Sequence, residues 1–289
     1  MTVWAVCFLC IGGWIIFIKT MPQKLNKSIA TGLPVENFVL IDHEGVFHEL
    51  YNYSDQKAIV LVSQANGCSF NQQAAPYLNL LKKQYDSQDI AILMINASLR
   101  DDKDSIIKES QDYEMGIPVL IDSSQMISVG LEIRQAGEAF VIDPKDWTIV
   151  YRGAVEKRGR VGIKDVIDGL ITEIPVAVTK TEVVGCEVDM HMGDTQKEIT
   201  YVDDVGPILV GYCLPCHNEA RNDTWAMNDY EMVVSYGQIL KEVIRTKRMP
   251  PWQGDVSLSA GEIRTLVQWV EQGMPRGEGS DPLKSYLTY

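Results

Sequence analysis

Five consecutive residues, Cys213-Leu214-Pro215-Cys216-His217, carry the side chains with the clearest chemistry in this chain. A Cys-x-x-Cys-His run is typical of covalent haem attachment, in which both thiols add to the vinyl groups of the haem. The adjacent imidazole can then bind the iron as its proximal ligand. The soluble part of the chain offers no second Cys pair for a zinc site. The motif therefore predicts one c-type haem held by Cys213, Cys216 and His217, and a buried or disulfide-bonded Cys pair is the alternative.

A second iron ligand is expected after His217, where Arg248-Met249-Pro250-Pro251-Trp252 resembles the Met loop of a small cytochrome c. A thioether sulfur is a soft ligand that favours ferrous iron. The two prolines cannot continue a helix, and they fix the backbone of the loop that carries the sulfur. Met249 is therefore the predicted distal ligand. Three other methionines are its rivals, although each can equally fill a core: Met227, Met232 and Met274.

The charge of the chain limits its partners. A net charge of −13 at pH 7 argues against nucleic acid as a ligand and leaves redox proteins as the expected partners. Four cations come before or beside Met249: Lys241, Arg245, Lys247 and Arg248. They predict either a basic collar that steers an acidic redox partner or an ordinary solvated helix face.

The first residues form an apolar segment. Val3 to Ile18 is uncharged and ends at Lys19, which is slightly short for a transmembrane helix but long for the core of a signal peptide. The small residues Ser28-Ile29-Ala30 resemble a cleavage site but lie far from the apolar run. We therefore predict an uncleaved single-pass anchor over residues 1–20, with a cleaved signal peptide as the alternative.

Two signals disagree on the side of the membrane that holds the soluble part. Lys19, Lys24 and Lys27 follow the apolar run, which by the positive-inside rule places the rest of the chain in the cytoplasm. Covalent haem attachment in bacteria takes place on the outer face of the inner membrane. Because that chemical requirement is the stronger one, we expect the soluble domains in the periplasm, an oxidising compartment.

The soluble part divides into two domains with a linker at residues 175–198. Residues 31–174 alternate apolar runs of strand length with segments of helical period, which predicts an α/β fold. The predicted strands are 58–63, 90–96, 139–142 and 148–152, and the predicted helices are 72–85, 103–113 and 162–172. Residues 199–282 predict a small all-α domain with helices at 205–213, 230–246 and 259–272. The last of these starts with a capping box, Ser259-Ala260-Gly261-Glu262.

The α/β domain resembles the thioredoxin-like redoxin family. The resemblance rests on Asn66 to Asn71 at the turn from strand to helix, on Gly116 to Asp122 and on Phe140 to Asp143. It puts Cys68 in the place of the attacking thiol, at a helix N-terminus that stabilises a thiolate. The usual partners are replaced: Asn71 stands where the resolving thiol is expected, Ala65 where a peroxidase has a hydroxyl, and Gly137 where the cis-proline is expected. The resemblance thus implies a redoxin fold with a degenerate active site.

Cys68 and Cys186 are the two cysteines left after the haem pair and the membrane pair are set aside. In an oxidising compartment they can form a disulfide, provided that their Cα atoms lie within about 7 Å, or they can remain two separate thiols. The linker also contains Met190-His191-Met192, which with Cys186 is a set of soft ligands for Cu(I).

The order of domains resembles a bacterial family in which a redoxin domain, a Gly-Cys linker and a small cytochrome c module are fused. Many relatives continue into a copper monooxygenase-like domain, which does not follow here before Tyr289. The resemblance implies a monohaem cytochrome that carries single electrons rather than an enzyme in its own right. Two alternatives stay open: a thiol oxidoreductase that uses Cys68 with Cys186 and the haem as electron sink, and a haem-bearing subunit of a larger membrane respiratory or oxidase complex.

Overall fold

The alternating strands and helices expected in the first domain form one mixed sheet with helices on both faces. In this computed structural model, the described residues are 32, 34–85, 88–155, 162–174, 179–190, 197–221, 225–250 and 257–287. The strands of the chain are β1 (Val39–Asp42), β2 (Phe47–Glu49), β3 (Ala58–Gln64), β4 (Ile90–Asn96), β5 (Val119–Ile121), β6 (Gln135–Ala136), β7 (Glu138–Asp143), β8 (Thr148–Ala154), β9 (Thr179–Lys180) and β10 (Cys186–Glu187).

Among the described residues, four helices belong to this α/β domain. They are α1 (Ser69–Tyr85), α2 (Lys103–Asp112), α3 (Met126–Gly130) and α4 (Ile163–Ile171). A 3₁₀ turn, Leu50–Tyr53, follows β2. Three parallel strands stand at the centre of the sheet in the order β5-β4-β3, and the antiparallel strand β7 continues it beside β3. The thioredoxin-like α/β architecture expected from the sequence is therefore present.

Strand β3 explains why the sheet has a core on both faces. All seven of its residues are buried, and Val60 and Val62 pack under α1 and α4 while Ile59 and Leu61 face the opposite layer. A strand covered on both faces requires a continuous apolar run instead of an alternating one. The carboxyl end of β3 leads directly into the turn that carries Cys68, so the rigid centre of the sheet fixes the position of that thiol.

The segment predicted as a linker contributes two short strands to the α/β domain. β9 pairs in parallel with β8 at the edge of the sheet, and β10 pairs with β6 so that Cys186 lies opposite Ala136. Val188 is buried beside them. This segment is therefore packed against the first domain for part of its length before the chain enters the second.

The second domain is helical, as the sequence predicts. Its elements are a single π-helical turn at Tyr201–Val205 and the helices α5 (Gly206–Tyr212), α6 (Tyr230–Ser235), α7 (Gly237–Arg245), α8 (Ala260–Glu271) and α9 (Pro282–Leu287). Its core is built around Trp269 of α8, whose indole donates a hydrogen bond to the carbonyl of Pro275 at 2.9 Å. The predicted capping box is present, because Ser259 and Glu262 exchange hydrogen bonds at the start of α8.

The long helix predicted from residue 230 to residue 246 is two helices. The chain breaks at Tyr236, and α7 starts afresh at Gly237. A Cβ atom at residue 237 would lie 2.2 Å from the sulfur of Met274, so any side chain here would require Met274 to move. α7 contacts both the helical core, through Leu240 and Ile244, and the α/β domain, through Lys241 and Arg245.

The predicted membrane anchor at residues 1–20 lies outside the described residues. Within the parts of the chain that the structure describes, no helix has both the length and the apolar character needed to cross a membrane.

Candidate functional site

An apolar cavity of about 360 Å³ opens in the helical domain, and it brings together all four residues predicted to hold a haem. Cys213, Cys216, His217 and Met249 all line it. The remaining lining residues are mostly apolar or aromatic: Tyr212, Arg221, Trp225, Met227, Tyr236, Ile239, Leu240, Val243, Ile244, Pro250, Leu258 and Leu266. Such a cavity suits a flat, largely apolar ligand with a few polar groups.

The backbone after α5 places the two thiols and the imidazole on one side. The amides of Cys216 and His217 donate to the carbonyl of Cys213 at 3.1 and 2.9 Å, which forms a helical turn. Residues three and four apart share a face of such a turn. Leu214, between them, points instead into the core and is fully buried. The spacing of the motif thus aims its three reactive side chains at the same cavity.

The imidazole of His217 is held through its Nδ1 atom. Nδ1 lies 3.0 Å from the carbonyl oxygen of Trp225. Because a carbonyl can only accept, Nδ1 is the donor, and in the neutral imidazole this arrangement leaves the lone pair on Nε2. A histidine that donates its second ring nitrogen to a backbone carbonyl in this way has the orientation and basicity of a metal ligand.

Met249 lies on a loop fastened to the end of α7. The amides of Arg248 and Met249 both donate to the carbonyl of Val243, at 2.8 and 3.1 Å. Among the rival methionines, Met232 and Met274 are not lining residues of the cavity. Met227 does line it, but its amide donates to the carbonyl of His217, so it stands next to the predicted proximal ligand.

The thiols of the motif differ in their surroundings. Cys213 is half-buried and Cys216 is exposed. Burial, together with the neighbouring Cys216, raises the pKa of Cys213 to about 11. A thioredoxin-type dithiol requires the opposite, a lowered pKa that gives a reactive thiolate at neutral pH. The first cysteine of this motif is therefore a poor nucleophile for disulfide exchange.

A second cysteine pair lies in the α/β domain, where Cys68 and Cys186 form a disulfide. The two residues are 118 positions apart, and their Cα atoms lie 5.8 Å from each other. Cys68 stands immediately before α1, and Cys186 belongs to β10. The structure thus selects the bridge over the two separate thiols. It also occupies the thiol of Cys186 that the proposed copper ligand set would need, while His191 and Met192 lie outside the described residues.

The residues that replace the usual redoxin partners have structural roles. The buried amide of Asn71 donates from Nδ2 to the carbonyl of Ser63 at 2.9 Å and accepts from the amide of Ala65 at 3.3 Å. Gly137 donates its own amide to the carbonyl of Ser63 at 2.8 Å, which a proline could not do. Its φ of +92° also favours glycine. The turn around Cys68 is thus tied together by hydrogen bonds where other redoxins carry reactive groups.

The predicted basic collar is largely used inside the molecule. Lys241 and Arg245 both bind the carboxylate of Glu36 in the α/β domain, and Lys241 also binds Glu271. Arg248 pairs with Glu242. Burial lowers the pKa of Lys247, although the charge of Asp122 opposes this shift. Lys241 and Arg245 therefore belong to the interface between the two domains, whereas Arg248 is exposed and pairs within the helical domain.

Comparison with known proteins identifies the first domain. Residues 31–157 match the sequence model of the AhpC/TSA family. The chain contains a thioredoxin-like redoxin domain. A hypothetical protein from Sinorhizobium meliloti has the same fold, with a TM-score of 0.52 and 22% identity over 57% of this chain and 97% of that one. An uncharacterized conserved protein from Geobacillus kaustophilus gives a TM-score of 0.51 and 20% identity over 56% of this chain and 93% of that one. A search of curated proteins gives no match.

In the redoxin domain, Cys68 does occupy the turn between the central strand and its following helix, as the resemblance implies. The family match ends at residue 157, so that β10 and Cys186 lie beyond it. The thiol partner of Cys68 is therefore supplied by the segment that leads to the helical domain.

Among the lining residues that the sequence-based prediction missed are Arg221, Trp225 and Tyr236. Trp225 packs against the ring of His217 with the centroids 5.1 Å apart, and it stacks on Tyr236 at 4.3 Å. Trp225 follows the motif closely in the sequence, but no spacing rule distinguishes such an aromatic residue from one that fills a core.

Proposed function

We propose that this protein is a membrane-anchored periplasmic cytochrome that carries single electrons on one covalently bound haem. The observation that carries the proposal is the apolar cavity on which Cys213, Cys216, His217 and Met249 meet. The redoxin domain then serves as a docking or structural module. The N-terminal anchor and the periplasmic location are part of this proposal, and they follow from the sequence arguments given above.

The residues of the cavity fit a haem. Cys213 and Cys216 would attach it covalently, His217 would bind the iron through Nε2, and Met249 would bind it through sulfur. Arg221 is the cation among the lining residues and suits the carboxylate groups of a haem. When bound, the haem would supply reversible one-electron chemistry.

The rest of the cavity has supporting roles that the chain itself performs. Leu240, Val243 and Leu266 keep the cavity apolar. An apolar lining limits the access of water and would favour the less charged, reduced state of a bound haem. Trp225 orients His217 through its carbonyl oxygen and covers one side of the imidazole with its ring. The raised pKa of Cys213 makes this thiol a weak nucleophile at neutral pH, which counts against dithiol exchange at this motif.

A test of the proposal is to produce the full chain in a bacterium that matures c-type cytochromes and to examine the purified protein by pyridine haemochrome spectroscopy and intact mass. We expect one covalent haem per chain and complete loss of covalent attachment in a Cys213→Ser, Cys216→Ser double variant. A wild-type chain that carries no covalent haem under these conditions would overturn the proposal.

A second candidate function is supported by the disulfide in the redoxin domain. Reduction of Cys68–Cys186 takes up two electrons and two protons and gives two thiols, so a one-electron carrier would exchange with it in two successive steps. Against this candidate stand the burial of Cys68, which is 2% exposed, and the structural role of Asn71.

The two candidates differ in what they require of the thiols. If the chain is an electron carrier, a Cys68→Ala, Cys186→Ala double variant keeps the wild-type rate of haem reduction and oxidation by redox partners. If it is a thiol oxidoreductase, the same variant loses activity. A role as haem-bearing subunit of a larger respiratory complex predicts in addition that other subunits migrate with the protein purified from native membranes, and a lone band would count against it.

A further inference from the structure

The interface between the domains meets the helix that carries the predicted distal ligand. Polar contacts from Lys241 and Arg245 join α7 to the start of the redoxin domain, and one of them runs from Arg245 to the backbone carbonyl of Glu36 at 3.4 Å. The carboxylate of Glu36 accepts from Lys241 at 2.9 Å and from Arg245 at 2.8 Å, and the guanidinium of Arg245 also donates to the carbonyl of Asn37 at 3.3 Å. Lys241 and Arg245 are largely buried, with side chains 13% and 9% exposed.

A different face of the same helix lines the cavity. Leu240, Val243 and Ile244 line it, and they point roughly a third of a turn away from Lys241 and Arg245 on a helix of 3.6 residues per turn. A rotation of α7 that broke the contacts of Lys241 and Arg245 with Glu36 would therefore also move the residues of α7 that line the cavity.

The loop that carries Met249 is attached to the end of this helix. Val243 accepts hydrogen bonds from the amides of both Arg248 and Met249, so the position of the loop follows that of α7. α7 has nine residues and is interrupted at Tyr236 on its N-terminal side. Contacts from outside are needed to fix so short a helix, because isolated helices of this length are marginal in water.

A second set of contacts fixes α8, so that the redoxin domain holds both helices at one time. Arg264 of α8 donates to the carbonyl of Ser124 at 3.4 Å, and Met126 packs against the cores of both domains. Glu271 of α8 binds Lys241 at 3.2 Å and connects the two helices. The redoxin domain thus contacts both α7 and α8, two helices whose residues line the cavity.

From this arrangement we propose that Glu36 is a positioning residue for the Met249 loop: by binding Lys241 and Arg245 it fixes α7 and keeps the sulfur of Met249 at the cavity. The inference rests on the proposed haem-binding function. It gives the redoxin domain a defined task in a cytochrome, which is to hold the distal ligand in place without using its own cysteines.

Water reaches the ion pair, and this makes the proposal testable by salt. Glu36 is 57% exposed at its side chain, and a cavity of about 420 Å³ lies beside it at the domain interface. Interactions of partly exposed charges weaken as the Debye length falls to about 3 Å at about 1 M salt. The effect of Glu36 should therefore be largest at low ionic strength.

The experiment uses the full haem-loaded chain and the variant Glu36→Gln, which keeps the shape of the side chain and removes its charge. Imidazole is titrated into the ferric protein, where it competes with Met249 for the iron. We expect the variant to bind imidazole about fivefold more tightly at low salt, because a partly exposed carboxylate that pairs with two cations is lost, and by a smaller factor at about 1 M salt. The matched control is Asp112→Asn, which removes the exposed pair with Lys108 inside α2 and should leave imidazole affinity unchanged.

A second measurement is independent of the haem iron. Hydrogen exchange of peptides that cover residues 237–249 should be faster in Glu36→Gln than in the wild type or the control. Unchanged imidazole affinity in a variant with normal haem content overturns the inference, and so does unchanged exchange. A wild-type chain without covalent haem overturns the proposed function instead, so the two failures are distinct.

Discussion

At the scale of single residues, Met249 is a predicted ligand that is open to solvent, with 40% of the residue exposed. We predict that Met249→Leu keeps the covalent haem, because Cys213 and Cys216 are untouched, but loses the sulfur ligand. The reduction potential should fall on the order of 0.1 V, within the range of about 0.8 V that axial ligands control. Redox titration of the purified variant measures this shift.

Met227→Leu is the matched control, because Met227 lines the same cavity beside His217. Its potential should remain close to that of the wild type. If Met227→Leu lowered the potential and Met249→Leu did not, Met227 would be the distal ligand and our assignment would be wrong.

The two thiols of the motif should differ in reactivity before haem is attached. Cys216 is exposed, whereas Cys213 is half-buried and its pKa is raised to about 11. We predict that iodoacetamide at neutral pH labels Cys216 in the haem-free chain many times faster than Cys213, because the thiolate is the nucleophile. Mass spectrometry of the labelled peptides gives the two rates, and equal rates would contradict the difference in burial.

The residue types that carry chemistry were predictable where they lie close together in the chain. The side chains of Cys213, Cys216 and His217 come together within one helical turn, so their spacing in the sequence was enough to predict that they share a face. Whether Cys68 and Cys186 form a disulfide could not be predicted, because a pairing across 118 positions depends on the path of the whole fold. The same holds for Glu36, which meets Lys241 and Arg245 only after both domains have folded.

At the scale of elements, the long buried strands and the capped helices follow from local patterns, whereas the short ones do not. β4 was predicted at its observed bounds because Ile90–Asn96 is a continuous apolar run. β9 and β10 have two residues each, which is too short to show a period of two. The break before α7 was missed: Tyr236 lies at φ −105° and ψ 7°, outside the helical region, and Gly237 follows it.

One prediction concerns the disulfide that joins the start of α1 to β10. The bridge from Cys68 to Cys186 closes a long loop and restricts the unfolded chain, so its removal should lower the free energy of unfolding by about 2–4 kcal/mol. Urea unfolding of the oxidised protein, of the protein with its disulfide reduced, and of a Cys68→Ala, Cys186→Ala variant measures the difference.

The double variant provides the control for this measurement, since a thiol reductant should leave its stability unchanged. Reduction should shift the wild-type transition toward that of the variant. Identical transitions for the oxidised and reduced wild type would show that the bridge contributes nothing to stability.

At the scale of the whole molecule, the two domains meet through charged contacts and through the apolar contact of Met126 with both cores. Glu36 faces Lys241 and Arg245 of α7, and Glu271 of α8 joins the same group through Lys241. Desolvation by burial acts to raise the pKa of Glu36, but the hydrogen bond from Lys241 and the charges of Arg245 and Lys241 outweigh it, so that the pKa lies below the ordinary value of 4.5. The ionised carboxylate is therefore favoured when the domains are docked.

This direction sets the pH dependence of docking. A carboxylate whose pKa is lowered by docking stabilises the docked state fully above its ordinary pKa, and that contribution is lost as the pH falls through the lowered value. We predict that the wild type is more compact than Glu36→Gln at neutral pH and that the difference disappears as the pH falls well below 4.5. Small-angle X-ray scattering of both proteins along the same pH series measures it, with circular dichroism as a check that both domains stay folded. If the difference between the radii of gyration of the two proteins stayed the same at every pH, Glu36 would not control docking through its charge. The difference would then persist at low pH, where Glu36 is neutral like the glutamine that replaces it.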